Sequence, residues 1–180
     1  MKHKQVALIR GINVGRAKRI AMADLRAMME GLGYSDCRTL LNSGNIVFAA
    51  GRESPSRSAA RIERAISKAF GFDAPVTVVS GADFSTVVRE NPLTEIADNP
   101  SRLLAAFLMQ PDHMQRLEPL THEDWKPEAL ALGTGQAAYL WMPEGVIGSR
   151  LNEAVVRALD KAVTARNWKT VLKIEAALES

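Results

Sequence analysis

The chain has 180 residues, 47% hydrophobic and 24% charged, the make-up of a folded protein rather than a disordered tail or a coiled coil. Its formal net charge of +3 is too small to imply nucleic acid by itself. A single cysteine, Cys37, excludes an intramolecular disulfide and a cysteine-based zinc site and suits the reducing cytoplasm.

The apolar run after the basic start breaks at Arg10, so it reads as a first strand over 5–11 and not as a signal peptide. No segment approaches the roughly 20 apolar residues of a membrane helix, which leaves a soluble, cytoplasmic protein as the expectation. A loop follows from Ile12 to about Ala21. Met22, Leu25, Met28, Met29 and Leu32 then have helical spacing, and Gly33 stands where a helix stops. Two strands, 37–41 and 45–49, are predicted on either side of the turn Asn42-Ser43-Gly44. Ser54-Pro55 is an N-cap followed by the first helical residue, opening a helix to Phe70 that Gly71 ends. The β-branched stretch 75–80 is a fourth strand. This order, β-α-β-β-α-β, is the ferredoxin-like plan.

A short helix over 82–89 leads to an Asn- and Pro-containing connection at 91–100, the expected boundary between subdomains 1–90 and 101–180. The pattern then partly repeats. Strand 102–109, short helix 112–117, and strands 129–132 and 137–142 around Gly133-Thr134-Gly135 precede a helix opened by Ser149. Arg166–Leu178 reads as helical, with Thr164 as its cap. The second half is therefore expected to be β-α-β-β-α-α, with its last strand missing or supplied by the first half. The predicted fold class is α+β: two tandem ferredoxin-like subdomains, the second incomplete or sharing strands, with an extra terminal helix.

Charge is unevenly spread. Lys2, Lys4, Arg10, Arg16, Lys18 and Arg19 all precede the first acid, Asp24, and Lys161, Arg166, Lys169 and Lys173 lie between Asp160 and Glu175. Within the first cluster, Gly11 and Gly15 permit backbone N–H groups to converge as an anion-binding nest. The segment equally reads as a strand-to-helix turn with solvated cations, and its spacing fits neither a Walker A loop nor a dinucleotide fingerprint. Asn42-Ser43-Gly44-Asn45 is a polar turn whose residues also form turns for purely local reasons. Helical spacing would put Arg166, Lys169 and Lys173 on one face, with Trp168 in the core. His3, His113 and His122 show no ligand spacing, so neither a metal nor a cofactor is expected. Cys37, inside a strand, reads as a small buried hydrophobe.

The segments Ala7–Gly15, Met22–Arg26, Asn42–Phe48 and Thr164–Val171 closely resemble the family catalogued as domain of unknown function 1697, small proteins common in bacteria. The resemblance implies two ferredoxin-like α+β subdomains and transfers no activity. Where the family usually continues Val-Gly with another glycine, this chain has Arg16 and Ala17, giving a stiffer and more cationic loop.

Three functional readings follow. The leading one is a binding module for a phosphate-bearing ligand, nucleotide or nucleic acid, at the seam between subdomains, with contacts from Arg10, Asn13, Lys18, Ser43, Asn45, Arg166, Asn167 and Lys169. The second makes the same residues a structural clamp between halves. The third is a metal-independent enzyme on a small molecule, with Asp24 or Glu30 as the base and no nameable nucleophile. Oligomeric state is not encoded in any of these features.

Overall fold

The computed structural model describes residues 3–134, 136–160 and 162–180. Lys2, Gly135 and Lys161, which figure in the sequence reading, lie outside the described residues. The chain forms two compact units, Met1–Phe84 with Lys173–Ser180, and Ser85–Leu172. The division falls within a helix ahead of the 91–100 connection, and the last residues return to the first unit.

The first unit contains strands β1 (Lys4–Ile9), β2 (Ser35–Leu40), β3 (Asn45–Ala49) and β4 (Val76–Ser80) with helices α1 (Met22–Gly31) and α2 (Pro55–Phe70). The sheet order is β2-β3-β1-β4, and every neighbouring pair is antiparallel. Alternation sends Ala7, Ile9, Ile46, Phe48, Val76 and Val78 to one face, where Leu25 and Met29 of α1 and Ile62 and Ile66 of α2 complete the core. The opposite residues Val6, Leu8, Val47 and Val79 are buried too, so β1 and β3 read as nearly continuous apolar runs. Ser54 accepts from Arg57 N and Pro55 is the first helical residue of α2, which Gly71 ends at φ 75, as predicted.

Helix α3 (Gly81–Arg89) leads into the second unit, with strands β5 (Leu103–Leu108), β6 (Ala129–Leu132), β7 (Ala137–Trp141) and β8 (Val163–Asn167) and helices α4 (His113–Leu117), α5 (Arg150–Leu159) and α6 (Trp168–Glu179). Its sheet runs β6-β7-β5-β8, again antiparallel throughout. One face packs Ala106, Leu108, Ala138 and Leu140 against Leu151, Val155 and Leu159 of α5.

The strand β8 corrects the sequence reading of 166–178 as one helix and of a missing last strand. Val163 to Asn167 pair in register with Leu108 to Leu104 of the central strand. The second unit thus completes its own sheet, without a strand from the first, and α6 follows. Backbone pairing to β5 overrides the weak local preference of Ala165, Arg166 and Asn167. Thr164 is buried in β8 opposite Phe107, inside a strand and not at the start of α6, which begins at Trp168.

Candidate functional site

The basic segment at 10–20 is a braced loop across one end of the first unit's sheet. Ile9 N donates to Gly44 O at 2.8 Å and Arg10 N to Pro75 O at 2.9 Å, tying the outgoing end of β1 to both neighbours. Gly11, Asn13, Gly15 and Lys18 all have positive φ, between 52° and 74°, which curls the loop tightly. Asn13 holds the curl together. Its N–H donates to Lys18 O at 3.0 Å, its Oδ1 accepts from Ile20 N at 2.9 Å, and its Nδ2 donates to Ile20 O and to Asn42 O at 2.9 and 2.8 Å. Ile12 and Ile20 are buried and anchor both arms in the core. Lys18 donates to Asp73 O at 2.8 Å, with its ammonium 5.8 Å from the Phe72 ring centroid.

The β2–β3 turn lies beside this loop. Asn45, fully buried, donates through Nδ2 to Leu40 O at 3.0 Å and Ser43 Oγ at 2.9 Å. The structure therefore gathers Arg10, Asn13, Lys18, Ser43 and Asn45 at one end of one sheet. Asn13 and Asn45 spend their amides on the protein's own backbone and turn. What the loop presents outward is Arg16 and Arg19, both exposed, with Val14, 73% exposed, between the glycine arms.

Arg166, Asn167 and Lys169 belong to the second unit. Arg166 stands in β8 opposite Ala105, donating to Ala165 O at 3.0 Å, and burial lowers its guanidinium to about 10. It shares no helical face with Lys169 and Lys173, a correction that follows from β8. Asn167 Oδ1 accepts from Thr170 N at 3.0 Å, so Asn167 is the N-cap that Thr164 was expected to be. Asn167→Ala is expected to destabilise by about 1 kcal/mol and Asn167→Asp by much less. Urea denaturation checks this; equal losses would mean the cap contributes nothing. Trp168 is buried as expected, its ring edge-on to Tyr139 at 6.4 Å.

Cys37 is buried, and burial first, then Glu30 and Asp36, push its thiol up to about 11, far from a reactive thiolate. Asp24 and Glu30 are exposed on α1. Among the described residues no group of three or more His, Cys, Asp or Glu could hold a metal ion, and no helix is long and apolar enough to cross a membrane.

One polar cluster carried no signal in the sequence. Glu53 accepts from Tyr34 Oη at 2.8 Å and from Arg61 Nη1 at 2.8 Å, and lies 3.3 Å from Arg57 Nε. Arg61 also donates to Leu32 O and sits over the Tyr34 ring at 5.1 Å. Its members come from three separate segments, so no spacing reveals them. Burial alone would raise the Glu53 carboxyl; the hydrogen bonds from Tyr34 and Arg61 outweigh it and hold Glu53 below the usual carboxylate range. Burial raises the Tyr34 phenol.

The family described as "protein of unknown function (DUF1697)" matches residues 1–139. Among solved structures, a conserved bacterial protein of Streptococcus pneumoniae is similar over 98% of both chains, with a TM-score of 0.75 and 23% identity; at that identity the likeness speaks for the fold. No curated protein matches the chain.

Proposed function

Since the chain belongs to the DUF1697 family of proteins of unknown function, we propose from its own residues that it binds a phosphate-bearing ligand, a nucleotide or nucleic acid, on the basic loop of the first unit. We read both units as ferredoxin-like, in keeping with their strand orders, and the location as the cytoplasm, in keeping with a lone free cysteine. One observation carries the reading: Arg10, Arg16, Lys18 and Arg19 ride on a loop fixed at Asn42 on one side and Asp73 on the other. A pre-curled cationic loop loses little entropy when an anion docks. Charge attraction of this kind is sequence-independent and weakens with salt.

Titration of a fluorescent single-stranded oligonucleotide and of ATP, at about 20 and about 200 mM salt, tests it. Oligonucleotide affinity is expected to fall log-linearly with salt, and Arg16→Ala with Arg19→Ala to reduce the slope by about 1–2. No binding at low salt, or binding indifferent to salt, would sink the reading. The structural-clamp alternative, narrowed to the first unit, is favoured for Asn13 by its bonds to Ile20 and Asn42. Asn13→Ala would then lower stability while leaving the salt slope unchanged.

A further inference from the structure

The second unit contains a cleft of about 440 Å³, toward the small end of the roughly 300–1,000 Å³ of small-molecule sites. One wall is a single face of α5, where Arg150, Glu153, Ala154, Arg157 and Ala158 recur at helical spacing. The other is Leu120, Glu123 and Trp125 from the segment after α4.

We propose that this cleft binds a small zwitterion, a free α-amino acid or short peptide, with its carboxylate at Arg150 and Arg157 and its ammonium group between Glu123 and Glu153. Arg150 is already positioned for this. Trp125 is buried and fixed by its Nε1 donating to Leu120 O at 2.7 Å, and the Arg150 guanidinium lies 5.7 Å from its ring centroid. A guanidinium stacked on an aromatic face keeps its N–H edge for a bidentate carboxylate. The N-terminal amides of α5 do not compete: Leu151 N donates to Glu128 Oε2 at 3.0 Å and Asn152 N to Ser149 Oγ at 2.9 Å. Among the described residues, Glu123, Glu153 and Arg157 form no ion pair.

The charge pattern sets the ligand class. Two guanidiniums and two carboxylates line one cleft, so a singly charged molecule satisfies only one pair and leaves the other without a counter-charge beside it. A phosphate ester meets the two carboxylates and is repelled. A molecule carrying both an ammonium group and a carboxylate satisfies both pairs. Leu120, Ala154 and Ala158 offer an apolar surface to an aliphatic side chain. This site is independent of the basic loop, which lies in the other unit.

The test is a titration of the full chain with L-leucine, leucylglycine, 4-methylpentanoate (no ammonium) and 3-methylbutylamine (no carboxylate), followed by NMR at the Trp125 indole N–H. Leucine or leucylglycine is expected to give a saturable shift at about millimolar concentration, with both singly charged analogues about tenfold weaker or worse. Arg157→Gln and Glu123→Gln should each weaken the zwitterion about tenfold and leave signals remote from the cleft in place. The proposal is overturned if neither zwitterion gives a saturable shift by about 50 mM, if the analogues bind equally well, or if inorganic phosphate displaces the zwitterion.

Discussion

Gly44→Ala is expected to destabilise the protein by about 2–5 kcal/mol, well beyond the roughly 1–2 kcal/mol expected of Gly15→Ala. Both glycines have positive φ, 79° at Gly44 and 64° at Gly15, so both substitutions strain the backbone. Only Gly44 is also crowded. A Cβ there would lie 2.9 Å from Ile9 Cβ and 2.9 Å from Ile12 Cδ1, whereas one at Gly15 meets nothing within 4 Å. The Ile12 terminus can swing aside, but Ile9 Cβ is fixed by the β1 backbone, whose N–H donates to Gly44 O. Paired urea denaturations of the two variants check this; equal midpoints would show that the close approach costs nothing.

Glu53→Gln is expected to cost about 1–3 kcal/mol and to flatten the acid limb of the stability profile. Tyr34 and Arg61 both donate to Oε2 while Oε1 faces Arg57, so a glutamine that keeps its oxygen toward the first two turns its NH2 donor toward Arg57 and carries no charge for either guanidinium. The pH dependence has a definite sign. The folded carboxyl titrates below its ordinary 4.5, so its contribution is complete above that value and is lost as pH falls through the folded value. The Tyr34 phenol is raised above 10.0, so its contribution is complete below pH 10.0 and is lost as pH rises through the folded value. The cluster therefore favours the fold most between these limits. Thermal melts of wild type and Glu53→Gln from about pH 3 to pH 7 should converge at the acid end; parallel curves would remove Glu53 from the account. Glu30→Gln, exposed on α1, is the control.

Much of the fold was legible because local and tertiary preferences agree. Ser54-Pro55 and Gly71 mark the ends of α2 by capping chemistry alone, and Ile46–Ala49 is apolar at every position because β3 is buried on both faces. β8 was not legible for the opposite reason. Thr164 resembles a cap, and Arg166, Lys169 and Lys173 have helical spacing, while the interaction that makes 163–167 a strand lies with β5, far away in sequence. The candidate site divides the same way. Glycine and arginine in 10–19 pointed to a curled cationic loop, and the loop is there. That Asn13 serves as its internal brace, and that Lys18 reaches Asp73, depends on neighbours that no motif encodes. The cleft beside Trp125 was invisible because its walls come from segments that carry no shared pattern.

The return of Lys173–Ser180 to the first unit bears on how the protein is made. Lys4 Nζ donates to Leu178 O at 2.6 Å and Arg38 to Ser180 Oγ, so cations from β1 and β2 face the carbonyl end of α6, where a helix favours positive charge. These partners lie 174 and 142 positions apart in sequence. During synthesis the first unit must wait without its closing segment while the whole second unit emerges, on the order of ten seconds at ordinary rates. Through that interval the sheet surface around Lys4, Arg38 and Val47 lacks the last turn of α6, whose Ala177 and Ser180 line the same hollow.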